Sequence, residues 1–305
     1  MNATGVALCP ARVIESKTHS SERGKVATMA NLAPEAIHVG STGVQLLVRD
    51  PTGKISARIA ATEDSDIILR HDQAEALAAR FEGELKEIPL VARSMSFYGI
   101  MKTVKILEEE PFKLARVSSE YGPAGPLFSN IDIFTERTGV GPIPITDYVL
   151  NHGFERVILG ELETSVARPF FLIATQANPF ARTEGRLDRL VYLMLDTYAR
   201  CPEGYAMEIG KALEYIGYGD LKAQEVANMG NFSLRKEFSN YEGMVRQVGN
   251  LIGIQKKNKI LNVAGQMDIG KADATKAIDI TADLFSAYRT PQKPKVETRE
   301  ELLTQ

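Results

Sequence analysis

The sequence predicts an α+β fold, strand-rich in its N-terminal half and helical in its C-terminal half. Up to about Ala174, short β-type runs alternate with clusters of glycine and proline. From Leu187 to Tyr198, apolar residues recur with the 3.6-residue period of a half-buried helix, and further helical patterns follow. No internal repeat or low-complexity linker interrupts residues 34–290, which are expected to form one α+β domain between a disordered leader (1–33) and a disordered Pro/Lys-rich tail (291–305). A natural start at Met29 fits that division.

Taken in order, Val44 to Ile59 reads as two strands joined by the turn Asp50-Pro51-Thr52-Gly53. In the second strand, Lys54, Ser56 and Arg58 alternate with Ile55, Ala57 and Ile59. A helix is expected from Asp72, where Leu77, Phe81 and Leu85 are spaced four apart, and a strand over Met101–Leu107. The glycines and prolines between 121 and 146 mark loops around a short strand, Ile131–Phe134. Phe154–Gly160 and Phe170–Ala174 read as buried strands. The helix over Leu187–Tyr198 has Asn178-Pro179 or Thr183 as its start signal. Shorter helices are expected over Ala206–Ile216, after Ser233 (Leu234, Phe238, Tyr241, Val245, Val248) and over Asp273–Tyr288.

Composition narrows the class. The 305 residues are 44% hydrophobic and 25% charged, enough apolar material for a real core. The net charge of −3 excludes a uniformly basic surface, although a local basic face is compatible with it. Two cysteines, Cys9 and Cys201, build neither a disulfide framework nor a metal-ligand pair, which fits a cytoplasmic location. The longest apolar run, Val166–Thr175, is broken by Arg168 and Pro169 and falls short of a membrane span.

Catalytic chemistry is hard to find. Ala174-Thr175-Gln176, Asn178-Pro179 and Leu187-Asp188-Arg189 follow the order of the sensor region of MoxR-type AAA+ ATPases, to which the stretch has a superficial likeness. A nucleotide needs a phosphate loop ending Gly-Lys-Ser/Thr, and every Gly-Lys pair lacks it: the next residue is Val26, Ile55, Ala212 or Ala272. The four histidines (His19, His38, His71, His152) are scattered, and no nucleophile elbow or dinucleotide fingerprint occurs. Glu161 and Glu163 form one Glu-x-Glu pair, which reads more simply as a solvated strand end. No catalytic residue, metal ligand set or cofactor is therefore expected.

Basic residues say more. Leu221–Ile260 holds Lys222, Arg235, Lys236, Arg246, Lys256, Lys257 and Lys259 against Glu225, Glu237 and Glu242, a local charge of +4. The run Gln255-Lys256-Lys257-Asn258-Lys259 suits phosphate contacts; the plainer reading is a solvated helix end, with cations stabilised near a C-terminus. The Lys54-Ser56-Arg58 face could likewise reach base edges in a major groove, or be an ordinary half-exposed strand.

Arg168-Pro169-Phe170-Phe171 before an apolar run, Leu187 and Leu190 in a long amphipathic helix, then Leu234-Arg235-Lys236-Glu237-Phe238 with Tyr241 and Arg246, make up an outline. Over about 166–250 it resembles AcaB-like transcriptional regulators of conjugative plasmids and integrative conjugative elements. The resemblance implies a cytoplasmic activator of transfer genes, related to ribbon-helix-helix proteins, that binds promoter DNA as a homo-oligomer, most simply a dimer, without enzymatic or membrane activity. The expected DNA contacts are Lys54, Ser56 and Arg58 at base edges, and Arg235, Lys236, Arg246, Lys256, Lys257 and Lys259. Two alternatives stand beside it: a structural or assembly protein of a phage or conjugation apparatus, and an enzyme with an unfamiliar site at Glu161 and Glu163.

Overall fold

The structure is a computed structural model that describes residues 8–9, 13–15, 26, 30, 33–48, 64–80, 86–89, 113–118, 130–177, 186–228, 241–250, 252–253 and 257–289. It is mixed α+β. Among the described residues, eight strands form one sheet: β1 (Val13–Glu15), β2 (Ile37–His38), β3 (Asp64–Ile68), β4 (Lys86–Pro89), β5 (Lys113–Ser118), β6 (Asn130–Phe134), β7 (Phe154–Leu159) and β8 (Leu162–Ala167). Their spatial order is β1-β7-β8-β2-β3-β6-β5-β4. The sheet is mixed, with parallel pairs β1–β7, β2–β8 and β3–β6 and antiparallel pairs elsewhere.

Among the described residues there are nine named helices: α1 (Gly40–Leu47), α2 (His71–Arg80), α3 (Asp147–His152), α4 (Pro169–Ala177), α5 (Arg186–Arg200), α6 (Tyr205–Asn228), α7 (Tyr241–Asn250), α8 (Lys257–Gln266) and α9 (Lys271–Ser286). The helix α1 packs on β3 and β8 and against α4 and α5; α4 packs on α5 and α6; α9 joins α5, α6, α7 and α8. One apolar core runs from β2 and β8 through α4 and α5 to Phe285 and Tyr288.

Two expected strands are helices. The first lies at Gln45–Leu47, inside α1. Gly40 adopts φ 62°, and a Cβ there would stand 1.8 Å from Asp66 Oδ2, so only glycine lets the chain leave β2 and start the helix. Every residue from Ser41 to Leu47 is buried, so no helical period marks the run in the sequence. The expected ribbon over Val44–Ile59 therefore lacks its first strand; the rest of it, with Met101–Leu107, lies outside the described residues.

The second is Phe170–Ala174, inside α4. Pro169 opens this helix at the position where its missing N–H costs nothing. The first turn is capped from a distance: Phe170 N donates to Glu208 Oε2 at 3.1 Å. At the other end, Arg186 donates to the Thr175 carbonyl (2.9 Å) and Arg189 to Gln176 Oε1 (2.9 Å), giving cations to a helix C-terminus. All nine residues are buried, the polar Thr175 and Gln176 included, so the helix is enclosed on every side. Phe170 and Phe171 meet Tyr215 at centroid distances of 5.3 and 5.7 Å.

Other elements agree with expectation within a few residues. β6 and β7 cover Ile131–Phe134 and most of Phe154–Gly160, and α5 and α9 cover the expected helices. α6 continues beyond Ile216 to Asn228. Glu161 lies in the two-residue turn between β7 and β8, where Gly160 takes φ 70°.

Candidate nucleic-acid interface

Of the nine proposed DNA contacts, Lys54, Ser56, Arg58, Arg235, Lys236 and Lys256 lie outside the described residues. Arg246, Lys257 and Lys259 fall within them. Arg246 sits on α7 and donates Nε to the Tyr288 carbonyl at 3.1 Å, tying α7 to the end of α9. Its first role is therefore packing.

Lys257 is the first residue of α8, so the lysine run opens a helix. That corrects the plainer sequence reading, which explained the lysines as cations favoured at a helix C-terminus. At an N-terminus the unpaired N–H groups already present a positive end, and added cations are disfavoured there. The first turn of α8 contains no acidic residue to offset them.

Lys259 is 57% exposed and its Nζ lies 3.2 Å from Asp188 Oδ1, itself 46% exposed. A pair this open is screened by solvent and held weakly. Asp188 belongs to the first turn of α5, between Arg186 and Arg189, which hold the end of α4. Of the sensor-like run Leu187-Asp188-Arg189, Arg189 thus holds the end of α4 and Asp188 is a surface carboxylate.

Sequence reasoning missed a buried polar node between α4 and α6. Arg168 Nη2 and Glu208 Oε1 are 3.1 Å apart, with the Glu208 side chain fully buried. Glu208 also accepts from Cys9 N at 3.1 Å, and Arg168 donates to the Cys9 carbonyl. Burial pushes the Glu208 carboxyl above its ordinary range, opposed by Arg168 and by the amides of Phe170 and Cys9. A charged pair that joins the N-terminal segment, α4 and α6 is a structural fastening. Its only sequence signal was an arginine directly before an apolar run.

A cleft of about 420 Å³ opens elsewhere, over β2, β3, β7 and β8. Its arginines, Arg70 and Arg156, are matched by Glu35 and Glu163. Arg156 lies 3.0 Å from Glu163, and Arg70 donates to Asn151 at 2.8 Å. Two arginines and two glutamates leave the lining of this cleft without net formal charge. Glu163 is held by Arg156, and among the described residues no group of three or more His, Cys, Asp or Glu is close enough to share a metal ion. None of the helices in the described residues is long and apolar enough to cross a membrane.

No family model, curated protein or solved structure matches this chain.

Proposed function

We propose that the chain binds double-stranded DNA as a cytoplasmic transcriptional regulator, acting by binding and without catalysis, and that the opening of α8 meets the phosphate backbone. The observation that carries this reading is the lysine run at the positive end of a helix with no acidic residue in its first turn. Surface folding alone disfavours that arrangement, and an anionic partner reverses the sign. The +4 charge of Leu221–Ile260 in a chain of net −3 supports it, since it concentrates positive charge around one segment. Phosphate would displace Asp188 from Lys259, and the α8 amides would add donors. Such contacts position a protein on the duplex and carry no sequence information.

Promoter recognition and control of transfer genes follow from the resemblance of 166–250 to AcaB-like regulators. In that reading the Lys54, Ser56 and Arg58 stretch supplies the base contacts.

A gel shift on fragmented genomic DNA at two salt concentrations tests the proposal. Retarded fragments at low salt, lost at high salt and lost with Lys257→Glu/Lys259→Glu, are expected. Absence of any shift at low salt, with the protein folded, would reject DNA binding outright.

A further inference from the structure

Four large apolar side chains stand exposed among the described residues, and three of them, Tyr148, Met207 and Tyr218, gather around one stripe of α6. Met207, Lys211, Glu214 and Tyr218 recur at i, i+4, i+7 and i+11, which aligns them on a single helix face. The opposite face, with Ile209, Ala212 and Ile216, is fully buried. Tyr148 reaches the stripe from α3: the Lys211 ammonium lies 5.4 Å from its ring and 5.6 Å from that of Tyr215. Lys211 Nζ is 2.9 Å from Glu214, and Tyr218 donates its hydroxyl to Glu214 at 2.7 Å. Gly210 is exposed beside these residues, and a Cβ there would meet nothing within 4 Å, so the backbone is open to close approach.

The order of these side chains is its own complement. Rotated end over end about the point between Ala212 and Leu213, the stripe sets Met207 opposite Tyr218 and Lys211 opposite Glu214. We infer that this face is a homodimer contact, in which α6 packs antiparallel on α6 of a second copy. A two-fold contact must be self-complementary, with each residue facing its counterpart's partner, and this stripe meets that condition in both its apolar and its charged positions. Tyrosine and methionine at the ends of the stripe match the residue types enriched at interfaces. The two Lys211–Glu214 pairs would close into a ring of four alternating charges.

Sedimentation equilibrium on the full chain at micromolar concentrations tests it. The unaltered protein is expected to be dimeric. Lys211→Glu and Glu214→Lys, made singly, each place like charges across the two-fold and should weaken association by at least about tenfold. Mixed in equal amounts, the two single variants should regain dimerisation, because each then offers the charge the other lacks. Both carry the same broken pair within their own helix, so only a contact between copies accounts for that rescue. Met207→Ser/Tyr218→Ser keeps the charges and should also be monomeric, with circular dichroism showing α6 intact. A monomeric unaltered protein, a dimer insensitive to these changes, or no rescue on mixing would overturn the inference.

Discussion

Replacing His38 by leucine should flatten the acid limb of the protein's stability profile. His38 lies on β2 in the middle of the sheet, opposite Val166 on β8 and Ile67 on β3, and all three are fully buried. Register partners point to the same face, so the imidazole is enclosed by apolar neighbours. Neither ring nitrogen has a hydrogen-bond partner, and burial pushes its pKa down to about 4 from an ordinary 6.5. Between those values the unfolded chain takes up a proton that the folded chain refuses. The neutral-histidine contribution is therefore complete above pH 6.5, falls as pH drops towards 4, and is constant below. Over this interval the loss is about 3 kcal/mol, at about 1.4 kcal/mol for each pK unit. Urea unfolding at closely spaced pH values measures it as the difference between the unaltered protein and His38→Leu. The leucine variant should gain about 3 kcal/mol relative to the unaltered protein between pH 8 and pH 4. Parallel profiles over that range would refute the enclosure of His38.

Two further predictions concern the fastening and the interface. Glu208→Ala removes the carboxylate that caps α4 and leaves Arg168 buried without it, so urea unfolding should show a loss of about 3 to 5 kcal/mol; Arg168→Met/Glu208→Leu, which removes both charges, should recover part of that. Asp188→Asn releases Lys259 from its surface carboxylate, so fluorescence anisotropy at low salt should show severalfold tighter binding to a DNA duplex, with thermal stability nearly unchanged. Equal affinity would separate Lys259 from the phosphate contact.

How far these features were legible in the sequence depended on where the deciding interaction lay. α5 was legible because its apolar residue types repeat every three or four positions (Leu187, Leu190, Val191, Met194, Leu195, Tyr198) with polar residues such as Asp188, Arg189, Asp196 and Thr197 between them, although the fold buries every residue from Leu190 to Tyr198. α1 and α4 were not, because both are enclosed on all sides and so show no period. The cap that makes Phe170 the start of a helix comes from Glu208, 38 residues further on, and no local pattern contains it. α6 looked shorter because Gly217, Tyr218 and Gly219 interrupt its apolar repeat; Gly219 packs against Pro142 and Ile143, where a Cβ would lie 3.0 Å from Ile143 Cδ1. The lysine run was visible at once, but its meaning turned on a helix boundary. Charge in the sequence has no direction until the helix that carries it is known to begin at Lys257.

The most direct test of the DNA-binding proposal is the salt dependence of its affinity, measured by fluorescence anisotropy on a labelled duplex. Each phosphate neutralised adds about 0.9 to the slope of log affinity against log salt. The unaltered protein should show a steep negative slope, and Lys257→Glu/Lys259→Glu should reduce its magnitude by about 2, with weaker binding at every salt concentration. A slope near zero, or one that the lysine changes leave untouched, would contradict phosphate recognition at the start of α8.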